Sequence, residues 1–72
     1  MNQKMVHEIL LPYKEGTPLE PCVGLGDRIV DAVEIMVRAS RDCIAVMRHQ
    51  RPIGMVRLDH AFEKLGLRKK SL

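Results

Sequence analysis

Few side chains in this chain are equipped for chemistry, and they are scattered. The histidines are His7, His49 and His60, and the cysteines are Cys22 and Cys43. A zinc site needs such ligands at short paired spacings, and neither a Cys-x-x-Cys nor a matching histidine pair occurs. Nucleophilic catalysis needs a base beside its nucleophile. No His–carboxylate–nucleophile constellation and no phosphate loop can be read, so no catalytic residue is assigned and the chain reads as a non-enzyme. The cysteines read as buried apolar thiols of a reducing cytosol, where such a setting leaves them unreactive, with a bridge or redox switch as the alternative. The densest polar chemistry is Arg57-Leu58-Asp59-His60. A guanidinium can hold a phosphate through two parallel hydrogen bonds. The favoured reading of Arg57, however, is a surface arginine or an ion pair with Asp59. His60 reads as a helix-start residue and His49 as part of a solvated turn.

These residues hang on the stretch CIAVMRHQRPIGMVRLDHAF, residues 43–62. Cys43 to Met47 is apolar throughout, as in a strand buried on both faces. Arg48 to Arg51 is a polar turn without the Asn-Gly or Asp-Gly of a tight hairpin. A second strand follows from Ile53 to Leu58. In it Ile53, Met55 and Arg57 point one way and Gly54, Val56 and Leu58 the other. Gly54 leaves room for a close neighbour, either backbone or ligand. Asp59 is expected to cap a last helix that turns Ala61, Phe62 and Leu65 inward and stops at Gly66. Upstream, Asp27 is expected to cap a helix over about 28–39. Its stripe is Ile29, Ala32, Val33, Met36 and Val37, widened by Val30 and Ile35. Glu34 and Arg38 stand at i,i+4 in the favourable order. Cys22-Val23 is a short extended piece, and residues 12–21 form a Pro-rich loop. Met5, Val6, Ile9 and Leu10 suggest a helical turn ended by Pro12.

At 72 residues the chain is one domain at most. A domain of this size buries only about 60% of its unfolded surface, so assembly is the expected remedy for a thin core. Seven cations against two anions from Arg48 onward leave that half at +5 and the rest at −2, for a net charge of +3. Such a basic half could attract phosphate, nucleic acid or an acidic protein surface, and a solvated face is the blander reading. Tyr13 and Phe62 are the only aromatics, too few for a base-stacking platform. Neither a signal peptide nor an apolar run of the ~18 residues a membrane span requires is visible, so a cytoplasmic location is expected.

The order is short strand, helix, strand, strand, helix. With PCVGLGD, RIVDAVEIM, CIAVMR, HQR, PIGMVRL and DHAF in sequence, it resembles a CBS motif (the cystathionine-β-synthase type). The pieces that carry the likeness are Ala32, Met36, Val46 and Gly54, in order and at matching spacing. The resemblance implies an α+β fold: a β-α-β-β-α unit that works in pairs, with clefts that often hold adenosyl nucleotides. It divides the chain into a helical turn and Pro-rich loop at 1–20, a single motif at 21–67 and a basic tail at 68–72. With one motif present, the second must come from another copy, and a lone unit is expected to expose an apolar sheet face. In nucleotide-binding members a hydroxyl residue follows the glycine strand and an aspartate three residues later holds the ribose. Those positions here are Arg57 and His60, with Asp59 one place early.

The resulting expectation is a regulatory, non-enzymatic CBS-motif protein that forms a homodimer or larger assembly. Its ligand would be AMP, ATP or S-adenosylmethionine, held by Cys22, Val23, Ile44, Ala45, Arg57, Asp59 and His60. The expected interface is Ile29, Val33, Met36, Val37 and Phe62. The alternatives are a ligand-free assembly or partner-docking module and, behind it, a nucleic-acid binder using the basic half. No metal and no membrane enter this reading.

Overall fold

The structure, a computed structural model, describes residues 4–66. The basic tail read at 68–72 lies outside them. Cys22–Val23 form strand β1, Ile29–Arg38 helix α1, Cys43–Arg48 strand β2, Arg51–Arg57 strand β3 and Leu58–Leu65 helix α2. A 3₁₀ turn at Val6–Ile9 precedes them. The sheet has three strands in the order β1-β2-β3, parallel between β1 and β2 and antiparallel between β2 and β3. This is the expected α+β unit.

Strand alternation decides what each residue meets. Val23, Ile44, Val46 and Val56 face the helices and join Ile29, Ala32, Met36 and Ala61 in one core. Ala45 and Met55 take the opposite face, yet they too are buried. The loop after Pro12 reaches that face, where the Thr17 hydroxyl lies 4.0 Å from the Met55 sulfur. The sheet face expected to lie bare for a second copy is therefore covered at Ala45 and Met55. Among the described residues, the large apolar side chains left exposed are Leu19, Val30, Val37 and Ile53.

The N-terminal segment belongs to the same core. Val6 is wholly buried and Ile9 nearly so. Val6 N–H donates to the Asp27 carbonyl and Ile29 N–H to the Lys4 carbonyl, both at 2.9 Å. Leu11 then pairs with Met55 through two bonds of 2.9 Å, on the outer edge of β3. That pairing explains Gly54. A Cβ there would stand 2.5 Å from Leu10 Cδ1 and 2.6 Å from the Leu11 carbonyl oxygen, so the close neighbour is backbone, not ligand.

Both helix starts differ from expectation. The residue before α1 is Arg28, and Asp27 instead accepts the Gly24 N–H at 2.8 Å, closing the preceding turn. The Lys4 carbonyl satisfies Ile29, so α1 needs no side-chain cap. Helix α2 begins two residues early, at Leu58, whose N–H donates to the Asp42 carbonyl at 2.7 Å. Asp59 thus lies inside the first turn, where its carboxylate still favours the positive helix end. The hairpin turn is also tighter than the four residues expected. Only His49 and Gln50 lie between the strands, both left-handed, with φ of 52° and 65°.

Candidate functional site

Two adjoining hollows share Asp42 and Arg57. The larger, ≈ 490 Å³, lies between the 14–17 turn and the ends of β2 and β3, with Lys14 and Thr17 on one wall and Cys43 and Met55 on the other. The smaller, ≈ 230 Å³, lies at the start of α2 among Leu58, Asp59 and Phe62. Local structure sets both walls. In the turn, Thr17 binds the Lys14 carbonyl with its hydroxyl at 2.7 Å, and the Tyr13 hydroxyl donates to the Thr17 carbonyl at 2.7 Å. Gly16 takes φ of 98°, a conformation open to glycine. Across the cleft, Cys43 and Arg57 are direct cross-strand partners.

Arg57 and Asp59 are engaged with each other. Arg57 Nε and Nη2 donate to the two Asp59 carboxylate oxygens, both at 3.2 Å. Asp59 also accepts the His60 N–H at 2.7 Å. Hydrogen bonds from Arg57 hold the Asp59 carboxyl below its ordinary range, with the His60 N–H adding to the effect. The same pairing raises the Arg57 pKa. Both side chains are more than half exposed, so water screens the pair and its partners can exchange. The ion-pair reading of Arg57 is thus the one the structure displays.

The other expected ligand residues divide. Val23, Ile44 and Ala45 are buried, and β2 is the central strand, so its backbone groups serve the sheet on both sides. Cys22 is exposed, and Cys43 is half-buried, so neither is a core thiol. Cys22 lines a separate cleft beside the hairpin turn. His60 is half-buried at the start of α2 and lines neither hollow. Lys14, Thr17, Asp42 and Cys43 were not anticipated. The cluster Lys14-Glu15-Gly16-Thr17 carries the composition of a turn, but nothing local says that the turn folds back over Met55.

Of the expected interface residues, Ile29 and Met36 are wholly buried within the protomer and have no surface to offer. Val33 and Phe62 are half-buried. Val37 is 57% exposed and is joined on the same helix by Val30, at 47%. Among the described residues no three of His, Cys, Asp and Glu converge as a metal set would. No described helix is long and apolar enough to cross a membrane.

No family model matches the sequence, and no curated protein matches it. Among solved structures, a CBS domain-containing protein of unknown function from Kribbella flavida superimposes with a TM-score of 0.59 at 26% identity. The match covers 78% of this chain and 37% of the neighbour's. The chain has the CBS-domain fold. The CBS likeness supports, in general terms, a regulatory CBS-motif protein.

Proposed function

We propose that this CBS-type chain is a regulatory module that senses an adenosyl nucleotide in the cleft between the 14–17 turn and the sheet, as one half of a homodimer. The observation that carries the reading is the composition of that cleft. Lys14 and Arg57 offer cations at its rim, beside the carboxylates of Glu15 and Asp42, and Met55 and Cys43 give it an apolar floor. An adenosyl phosphate has the complementary parts: a flat apolar base and an anionic tail. Arg57 would exchange the Asp59 carboxylate for the phosphate, since guanidinium forks suit both groups. Asp59 is then the residue that holds Arg57 when the cleft is empty. Pairing is supported by the small core of a 72-residue chain and by Val30 and Val37, two large apolar side chains turned to solvent on α1.

A thermal-shift panel with AMP, ATP and S-adenosylmethionine tests the sensing, because a ligand that prefers the folded state raises its melting point. A rise with at least one of the three, lost in Arg57→Ala, is expected. No shift with any of them at millimolar concentration would leave the second reading, a ligand-free assembly or partner-docking module. That reading draws on the Arg57–Asp59 pair itself, which satisfies both groups without a ligand.

A further inference from the structure

The β2–β3 hairpin tip breaks two local rules at one place. Arg48 ends β2 and stands directly opposite Arg51, the first residue of β3. Like charges in that relation repel each other. The two residues between them, His49 and Gln50, both take the left-handed conformation that glycine and asparagine accept most readily. All four residues are exposed. Among the described residues, neither guanidinium is paired with a carboxylate. The tight turn holds the two arginines side by side, since directly opposed residues of a sheet present their side chains on one face. Beside them lies a cleft of ≈ 450 Å³ lined by Arg48, Leu19, Glu20, Cys22 and Met47. Leu19 is 44% exposed there.

We infer that this tip is a docking site for an acidic segment of a partner protein. A carboxylate of the segment bridges Arg48 and Arg51, and a neighbouring apolar side chain enters the cleft against Leu19 and Met47. The bridge replaces the repulsion of the arginines with two charge-assisted contacts. Protein is favoured over nucleic acid by the same cleft, because the Leu19–Met47 surface asks for an apolar side chain, which a nucleic-acid backbone does not carry. The two aromatics are no stacking platform either: Tyr13 is half-buried with its hydroxyl bound to Thr17, and Phe62 is half-buried at α2. Docking at the tip is independent of whether the nucleotide cleft is filled.

The test is fluorescence anisotropy with a short labelled peptide of alternating Glu and Leu. A peptide with Lys in place of Glu and a labelled single-stranded oligonucleotide serve as comparison probes. The acidic peptide is expected to bind, more weakly as salt rises, and to lose about 10-fold or more in affinity to R48A/R51A. The melting temperature of that double variant is expected at or above the parent's, because the opposed charges are gone, so lost binding would not reflect lost fold. Absence of peptide binding, equal binding by the double variant, or equal binding of the Lys peptide would overturn the proposal. Tighter binding of the oligonucleotide would overturn it in favour of a nucleic-acid surface.

Discussion

Arg57 and Asp59 show how little at this site depends on any single residue type and how much on its neighbour. The carboxylate stands one position before the ribose-binding place of the CBS pattern, and here it engages the arginine two residues away. Asp59→Asn keeps the shape and removes the charge. It is expected to leave the urea-unfolding midpoint nearly unchanged, as the loss of an exposed pair does. The same change is expected to tighten ATP binding several-fold by titration calorimetry, because Arg57 is no longer held. Gly54 is the opposite kind of residue, fixed by space alone. Gly54→Ala drives a Cβ into the Leu11 carbonyl, which is backbone and cannot swing aside. A loss of about 1–3 kcal/mol by chemical denaturation is expected. The glycine was legible in the sequence as a place of close approach. Its neighbour was not, because Leu11 lies far away along the chain.

At the scale of elements, what could be read was what repeats. The stripe of α1 and the unbroken apolar run of β2 announced a helix and a doubly buried strand, and both form. The turn at His49–Gln50 was read too long because its residue types do not advertise the left-handed conformation they adopt. The helix starts were misread for a different reason. Asp27 and Asp59 have the chemistry of caps, but backbone carbonyls of Lys4 and Asp42 reach the first N–H groups instead. Such tertiary partners leave no local trace. Periodicity also could not tell which part of the stripe a protomer keeps for itself. Ile29 and Met36 are consumed by the core, whereas Val30 and Val37 remain outside. V30D/V37D is therefore expected to convert an assembly to monomer in light scattering. It should leave the far-ultraviolet dichroism unchanged, since neither side chain is part of the core.

For the whole molecule, the relevant variable is pH. Asp59 is held below the ordinary carboxylate range by Arg57, and Glu8 by the Met5 N–H bond, with Lys64 and other nearby cations adding to the effect. A carboxyl depressed in the folded state binds fewer protons there than in the unfolded chain. Its stabilisation is full above the unfolded value, about pH 4, and fades as pH falls through the lower folded value. Melting temperature by circular dichroism is thus expected to stay level from pH 7 to about 5 and to fall below about 4. The fall should be shallower in E8Q/D59N. Glu8 also joins the N-terminal segment to α2 through Lys64 at 3.7 Å, so the segment and the body are weakened together by acid. The motif that residues 21–67 spell out is consequently smaller than the unit that packs, because Val6 and Ile9 are part of its core. The Leu11–Met55 pairing has a further effect on assembly symmetry. A sheet with two open edges can add copies without end, as a filament does. Here Leu11 interrupts the outer β3 edge by pairing with Met55, whereas among the described residues the short β1 edge carries no further strand. Two copies joined antiparallel at β1 about a twofold axis would use that edge in both, so joining there would not propagate as a filament.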